Sequence, residues 1–327
     1  MSLRRYSTLA VFALTLSPVT APDLVGQDVG TPDVEQVARA ILQDLEVLRW
    51  QMGRPIETRD LIPVQDVAIR ENFLQAMSLW RKVNQLGVEL VGGGESPPIV
   101  QPARGGEYGP QHVFLVLNSV RARLEEVRAG IGVVGAGGLL DAFPTSGVNP
   151  RATPTDVFRA IVQANRQVNR MLEVQSQPGD VYQQVQQAVF YASAILTAVD
   201  DATPFPVVPA YEPGMTPTHV HAALMVSFDR LSAAFDALGL DMLHWSSEAY
   251  SPDEPPSPSD VFDLATLLLS ELEYLHARVP GAPVPLQAAH PGRRWPSNVY
   301  QQAGVLTQQS TRLLVQATQN PTTLGGR

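Results

Sequence analysis

A short helix-start motif, Pro-x-[Asp/His/Asn]-Val, constrains the fold of this chain more than any other feature of its sequence. The motif occurs six times, beginning at Pro110, Pro154, Pro178, Pro217, Pro258 and Pro296. Proline is favoured at the first position of a helix, and a polar side chain two residues later can cap the exposed first turn. The repeated motif therefore predicts an all-α protein, and it describes architecture rather than chemistry.

Apolar residues at steps of three and four follow each motif and give the lengths of the predicted helices. We predict eight helices of about 20 residues, each about 30 Å long at 1.5 Å per residue. Their ranges are 32–52, 63–87, 110–129, 154–175, 178–200, 217–238, 258–279 and 296–318. The expected N-caps are Thr31, Thr153, Thr216 and Ser257, and the expected helix ends are Gly53, Gly87, Gly130 and Gly239.

Shared sequence elements indicate an internal duplication of a helical unit. Val-Tyr-Gln-Gln occurs at 181–184 and again at 299–302, and similar matches link the helices upstream of them. The copies lie about 105 to 120 residues apart, which is too long for a helical-hairpin repeat and suits a bundle-sized unit. We therefore predict two four-helix bundles, at 27–175 and 176–318, and a polar tail at 319–327. A single eight-helix array is the alternative.

Long connections rich in proline and glycine separate the predicted helices, at 88–109, 130–153, 201–216, 239–257 and 280–295. They are longer than connectivity requires, and helices joined by short links are expected to be antiparallel neighbours. Their large apolar side chains either fold back onto the bundle or offer a docking surface to a protein partner. The candidate docking residues are Leu139, Leu140, Phe143, Phe205, Tyr211, Met242, Leu243, Trp245, Tyr250 and Trp295.

Composition excludes several classes of chemistry. The chain has 327 residues, of which 44% are hydrophobic and 17% charged, so it can bury a sizeable core. Its formal net charge is -9 and Lys82 is its single lysine, which argues against a nucleic-acid partner. It has no cysteine, which excludes disulfides, thiolate nucleophiles, Cys-ligated zinc, iron–sulfur clusters and covalently attached c-type haem.

The first 26 residues have the features of a signal peptide or an N-terminal membrane anchor. Two arginines precede an uncharged, largely apolar run at 6–21 that ends in Val-Thr-Ala. Pro22 is a poor residue after a cleavage site, so cleavage a few residues later is a second option. An uncut run is short for a span of about 20 residues but can still contact the membrane, and an ordinary buried helix is the third reading. We expect a periplasmic protein, soluble or associated with the outer face of the inner membrane.

Three sequence patterns resemble functional sites without their required context. Gly-Ile-Gly-Val-Val-Gly at 130–135 matches the dinucleotide-binding fingerprint but follows a helix rather than a strand. Glu273 and His276 have the spacing of di-iron bundles, but no second Glu-x-x-His is present. His112 and His219 occupy the capping position of the helix-start motif. The sequence also has no Gly-x-Ser-x-Gly or Ser-x-x-Lys element, so we predict no catalytic, cofactor-binding or metal-ligating residue.

These observations favour a structural role. We expect an exported, non-enzymatic helical scaffold that docks through its loops, as an accessory subunit on the outer face of a respiratory, photosynthetic or transport complex in the membrane. The alternative is a periplasmic module that binds a small molecule or a metal in a bundle core, as helical sensor domains do. An enzyme would require histidine and carboxylate side chains from different helices to meet in one cleft.

Overall fold

The computed structural model describes residues 29–54, 64–92, 107–132, 149–172, 176–199, 204–245, 255–289 and 291–326. Within these ranges the protein is all-helical, as predicted, with eight long helices. They are α1 (Thr31–Gln51), α2 (Ile69–Val91), α3 (Pro110–Gly130), α4 (Pro154–Met171), α5 (Pro178–Ala198), α6 (Pro217–Leu238), α7 (Pro258–Arg278) and α8 (Pro296–Gln319). Strand β1 (Val64–Gln65) pairs antiparallel with strand β2 (His244–Trp245), and Pro321–Leu324 forms a short 3-10 helix.

The helix-start motif caps each helix in which it occurs. Its third residue accepts a hydrogen bond from the backbone N–H of the N-cap residue, as Asp156 does from Thr153 at 2.9 Å. His112 and His219 accept in the same way through Nδ1, at 2.9 and 3.1 Å, which agrees with their interpretation as capping residues. The valine that follows is buried in all six copies. The motif therefore satisfies a backbone donor of the first turn and anchors that turn in the core.

The largest departures from the predicted helix boundaries are in α2. This helix begins at Ile69 rather than at 63, because the preceding residues form β1. It continues through Gly87 and ends at Gly92, whose φ of 65° provides a left-handed C-cap. Gly87 is buried, and a Cβ there would lie 2.6 Å from the guanidinium of Arg123, so this glycine allows close helix packing. The N-cap of α1 also lies one residue earlier than predicted, at Gly30.

The eight helices form two four-helix bundles rather than one array. Helices α1–α4 surround one apolar core, and α5–α8 surround a second. In the first bundle α1 and α2 each pack beside α3 and α4, so α1 and α2 lie diagonally opposite each other. In the second bundle α5 and α6 each pack beside α7 and α8 and are likewise diagonal. The domain boundaries and the internal duplication stay predictions.

The four helices of the second bundle run parallel to one another. One small apolar cavity at an end of this bundle is lined by the first residues of all four helices, Pro178, Pro217, Pro258 and Pro296. Residues at equal depth also touch, because Oγ of Ser227, the eleventh residue of α6, lies 2.8 Å from Oγ1 of Thr307, the twelfth residue of α8. The expectation of antiparallel neighbours applied to helices joined by short links, and the links within this bundle are long.

The first bundle is parallel as well. Asn72, near the start of α2, donates a hydrogen bond of 3.0 Å to the backbone oxygen of Pro154, the first residue of α4. At the other end, the last residue of α3 packs against the last residue of α2. Asp44 pairs at 2.8 Å with Arg128, and both residues lie in the second halves of their helices, α1 and α3. All four helices of this bundle therefore share one direction.

Parallel packing explains the long connections. A chain that leaves one end of a 30 Å helix must return to the other end before the next helix can begin, which takes at least about nine extended residues. The connections within the bundles have 17 to 23 residues, whereas the link between α4 and α5 has six. The long loops are thus required by connectivity, contrary to the expectation, and the short link is the one that joins the two bundles.

The two bundles lie antiparallel to each other and meet along α2 and α7. Arg70, at the start of α2, bonds Glu271 in the second half of α7 at 2.5 Å. Lys82, further along α2, bonds Asp263 near the start of α7 at 2.6 Å. This opposite order of contacts shows that α2 and α7 run in opposite directions.

Candidate functional site

Residues 204–211, between α5 and α6, form a segment that we call strap 1. It runs along α8 in the opposite direction and is held there by glutamine side chains. The buried amide of Gln309 donates to the backbone oxygen of Pro204 at 2.9 Å, and Gln301 donates to that of Pro209 at 2.8 Å. Pro209 also packs closely on Gly304, where a Cβ would lie 2.9 Å away. The strap backbone is therefore fixed on the bundle at both of its ends.

Residues 283–288, between α7 and α8, form strap 2, which is held by α5. The side-chain amide of Gln187 donates to the oxygen of Leu286 at 3.0 Å and accepts from the N–H of Ala288 at 2.8 Å. Gln183, one turn earlier, donates to the oxygen of Ala288 at 3.0 Å. Strap 1 also contacts α5, at Ser193, which lies about 120° around the helix from Gln187. The two straps therefore lie on either side of one face of this helix.

The straps bury prolines and expose larger apolar side chains. Pro206 and Pro285 are buried against the bundle, while Val207 is 86% exposed and Val284 is 84% exposed. The exposed set, which we call the strap face, consists of six strap residues and Trp295, which lies outside the straps at the N-cap of α8. The strap residues are Phe205, Val207, Val208, Tyr211, Val284 and Leu286. Exposed apolar patches are typical of contact surfaces.

The candidate docking residues divide into three groups. Phe205, Tyr211 and Trp295 belong to the strap face. Met242, Leu243 and Trp245 are buried in the core of the second bundle, which corresponds to the alternative in which the loops fold back. The remaining four lie outside the described residues, and they are Leu139, Leu140, Phe143 and Tyr250.

A cleft of ≈ 460 Å³ opens where the pair of short strands meets α6. Asp229, Ser232 and Asp236 line it from one face of α6, and His244 lies opposite them. His244 Nδ1 is 3.0 Å from the Ser232 hydroxyl, and its Nε2 is 3.7 Å from Asp236 Oδ1. The remaining lining residues are Gln65, Phe228, Ala233 and Trp245. We call this site the strand cleft.

Ser232, His244 and Asp236 are the residue types of a hydrolytic triad, but their arrangement does not support catalysis. The distance of 3.7 Å between His244 and Asp236 exceeds that of a hydrogen bond, and both side chains are about half exposed. Ser232 lies in the middle of α6, where the backbone N–H groups already bond within the helix and cannot form an oxyanion hole. A histidine and a carboxylate therefore meet in one cleft, from a helix and the strand that follows it, without a hydrogen bond between them.

Charged side chains are buried between the two bundles. Arg70 bonds Glu271 and lies 3.3 Å from Glu71, and its guanidinium stacks 4.0 Å from the ring of Tyr274. Glu71 also accepts a bond of 2.9 Å from the backbone N–H of Leu243, so it ties α2 to the segment before β2. Burial raises the pKa of both glutamates, and the neighbouring guanidinium opposes this rise. This ion cluster connects the bundles and is buried, which indicates a structural role.

The remaining sequence patterns are accounted for by local structure. The exposed Glu273 lies one turn before His276, whose Nε2 contacts the backbone oxygen of Pro283 at 2.8 Å. Of the glycine-rich run at 130–135, the described residues 130–132 are the end of α3 and a turn. Among the described residues, no group of three or more His, Cys, Asp or Glu is placed to hold a metal ion. No helix in those ranges is long and apolar enough to cross a membrane, and the run at 6–21 lies outside them.

Sequence reasoning missed the strand cleft because its walls come from distant parts of the chain. Gln65 precedes α2, whereas His244 follows α6, and only strand pairing brings them together. One local signal was available, since Asp229, Ser232 and Asp236 form a polar stripe at steps of three and four on a largely apolar helix.

Comparison with known proteins adds no relative to this description. No family model matches the chain, and neither a curated protein nor a solved structure matches it. The function of the protein therefore has to be argued from the strap face, the strand cleft and the frame that holds them.

Proposed function

We propose that this protein is an exported, non-enzymatic scaffold that docks a protein partner on its strap face, as an accessory subunit on the outer face of a membrane-protein complex. The observation that supports docking is the combination of exposed apolar side chains with a backbone that is fixed by hydrogen bonds. Apolar groups on a pre-ordered surface can be buried by a partner without a large cost in chain entropy.

The composition of the straps fits the centre of a protein interface. Residues 204–211 and 283–288 contain no charged side chain, although the chain as a whole carries a formal net charge of -9. Interface centres are depleted of charged residues and enriched in aromatic ones, and the strap face includes Phe205, Tyr211 and Trp295. A partner that covers the two straps would bury apolar surface without having to desolvate ions there. Trp295 differs, because the guanidinium of Arg293 lies 4.7 Å from the centre of its ring.

The orientation of the straps supports docking over simple connection. A strap that only had to return the chain would be more stable with its larger apolar side chains against the bundle, because burial of apolar surface is favourable. Instead, Pro206 and Pro285 occupy the inward positions, and Val207 and Val284 point to solvent. A partner surface would explain this orientation.

Isolation from native membranes tests the proposal. The tagged full chain, extracted in mild detergent, is expected to retain a stoichiometric membrane-protein partner, identified by mass spectrometry together with the state of its N-terminus. The double variant Val207→Ser, Val284→Ser should lose that partner while keeping its circular dichroism spectrum. The matched control is Val88→Ser, at an exposed valine of α2 in the first bundle, which should keep the partner. Recovery of the wild-type chain alone, or equal retention by the strap variant, would refute docking through the strap face.

A further inference from the structure

A second cleft, of ≈ 340 Å³, lies between the two bundles beside the short link that joins them. One wall is a polar stripe of α2 in the first bundle, and the other is the first two turns of α5 in the second bundle. Helix α7 contributes the partly buried ring of Phe262. Small-molecule sites occur preferentially between domains, and this volume lies within their range. We call this site the interbundle cleft.

The α2 wall contributes a cation with no bonded partner. Arg81 lines the cleft and makes no hydrogen bond or ion pair with a residue of the described ranges. Its side chain is exposed at the mouth, yet the surrounding protein desolvates the guanidinium and lowers the pKa of Arg81, and the charge of Glu273 opposes this fall only in part. An anion in the cleft would provide a bonded counter-ion.

The other charges of the described lining are already engaged. Lys82 is 7% exposed and bonds Asp263 at 2.6 Å. Asp180 accepts a bond of 2.8 Å from the backbone N–H of Gln177 and lies at the partly positive start of α5. Arg81 is therefore the lining charge that is left for a ligand, and a single cation best matches an anion with one negative charge.

The α5 wall contributes amides that can bind hydroxyl groups. Gln184 has no hydrogen-bond partner in the part of the chain that the structure describes. Gln183 donates through its amide nitrogen to the oxygen of Ala288 at 3.0 Å, which leaves its side-chain oxygen to accept. Amide groups can both donate to hydroxyls and accept from them, and Phe262 adds an aromatic surface. A hydroxylated ring with C–H groups on one face, such as a sugar, matches this combination.

We propose that the interbundle cleft binds an acidic sugar, a monosaccharide that carries one carboxylate. Arg81 pairs with the carboxylate, because a guanidinium matches its planar, two-oxygen geometry. Gln183 and Gln184 bind the ring hydroxyls, and Phe262 packs against the C–H face of the sugar. This site goes beyond the docking function and does not depend on the strap face. It places the small-ligand alternative between the bundles rather than in a bundle core.

The ligand contacts both halves of the protein. Arg81 belongs to the first bundle, whereas Gln184 and Phe262 belong to the second. A molecule that binds only where these walls face each other stabilises their arrangement, so binding should raise the temperature at which the full chain unfolds.

Isothermal titration calorimetry of the full chain tests the proposal. The probes are D-glucuronate and D-galacturonate, which differ in the orientation of one hydroxyl group. D-glucuronamide lacks the charge, and cyclohexanecarboxylate lacks the hydroxyls. We expect at least one uronate to bind at millimolar concentrations or below, and both control compounds to bind at least about tenfold more weakly because each loses one class of contact.

Variants of the two walls locate the binding. Arg81→Met should weaken uronate binding about tenfold or more, because a charge-assisted contact is lost, and Gln184→Leu should weaken it about fivefold. The matched controls are Arg121→Met, at a partly exposed arginine of α3, and Gln186→Leu, on another face of α5. Neither residue lines the cleft, so both controls should bind like the wild type. The proposal is overturned if neither uronate binds, if the uronamide binds as tightly as the acid, or if both wall variants bind as tightly as their controls.

Discussion

Replacement of Arg70 by methionine tests whether the ion cluster between α2 and α7 holds the two bundles together. The guanidinium bonds Glu271 at 2.5 Å and the backbone oxygen of Asp241 at 2.9 Å, and it lies 3.3 Å from Glu71. Methionine keeps an apolar stem of similar length but supplies no charge and no donor. Both glutamates are 0% exposed, so the variant leaves two carboxylates buried with no cation between them.

The magnitude of the effect depends on pH. Removal of one partner from a buried ion pair costs about 3–5 kcal/mol when the remaining charge stays ionised. Burial raises the pKa of Glu71 and Glu271 above their ordinary value of 4.5, so the folded protein binds protons more tightly than the unfolded chain there. These two groups therefore contribute most to the free energy of unfolding at pH values below 4.5, the pKa in the unfolded chain. Their contribution falls as pH rises from 4.5 through the higher pKa of the folded state. Without Arg70 this fall should be steeper, because no cation opposes the shift.

We expect the variant to lose about 3–5 kcal/mol of the free energy of unfolding near pH 8, and only about 1–2 kcal/mol near pH 4.5, where protonation leaves mainly lost hydrogen bonds. Urea denaturation followed by circular dichroism at both pH values measures this difference. The control is Arg121→Met, at a partly exposed arginine 3.7 Å from Asp44, which should cost no more than about 1 kcal/mol. The reasoning fails if the Arg70 variant loses the same free energy at both pH values, or loses less than the control at pH 8.

Four further predictions concern single side chains. Burial lowers the pKa of His221 to about 4 from 6.5, so the unfolded chain takes up a proton at a higher pH than the folded protein does. The free energy of unfolding should therefore fall by about 2–3 kcal/mol as pH drops from 6.5 to 4. His221→Leu should flatten this slope in urea titrations. Gln309→Leu should destabilise the protein by about 2–3 kcal/mol, because it leaves the backbone oxygen of Pro204 in strap 1 without its donor. Gln308→Leu removes only a long, exposed bond of 3.4 Å to the oxygen of Val207 and should change stability by less than about 0.5 kcal/mol. Equal effects in chemical denaturation would contradict the bracing of strap 1 by Gln309. His219→Asp places a carboxylate at the partly positive start of α6 and should raise the free energy of unfolding by about 0.5–1 kcal/mol, so a lower thermal midpoint would count against the capping interpretation. Val185→Asp charges a side chain that is 0% exposed and should cost at least about 3 kcal/mol or prevent folding, and an unchanged thermal midpoint would show that this face of α5 is not buried.

The starts of six helices were predictable from sequence because capping chemistry is local. Helices α3 to α8 all begin at their motif prolines. In each of them the N-cap residue, the polar third residue of the motif and the buried valine lie within five consecutive residues. Helix α2 has no such motif, and its start was misplaced by six residues. There, β1 pairs with β2 about 180 positions away along the chain, and no local pattern reports such pairing.

The direction of the helices could not be read from periodicity. An apolar stripe gives the buried face of α5 equally well whether its neighbours run parallel or antiparallel, and ridge-into-groove packing accepts both. The length of the connections did carry this information, since each is long enough to return along a whole helix. The candidate site was predictable only in part. Phe205, Tyr211 and Trp295 could be named as large apolar residues of the loops. Their exposure could not be predicted, because it follows from the positions of the straps on α5 and α8.

The parallel arrangement also has a consequence for how the chain reaches this fold. Helical bundles usually fold fast because neighbouring helices are close in sequence, and folding slows as contacts become more distant along the chain. Here many contacts between neighbouring helices join distant residues: 80 positions apart for Ser227 and Thr307, 90 for Gln75 and Asn165, and 120 for Val189 and Gln309. The consecutive helices α2 and α3 also pack on each other, with residues fewer than 40 positions apart. Within the described residues no short-turn helical hairpin joins neighbouring helices of one bundle. Although α2 and α3 pack directly, α1 must wait for α3 and α4, and α5 must wait for α7 and α8. In its kinetics this all-α protein should resemble a β-sandwich, with apolar helix faces exposed to aggregation or in need of chaperones until the last helix of each bundle has docked.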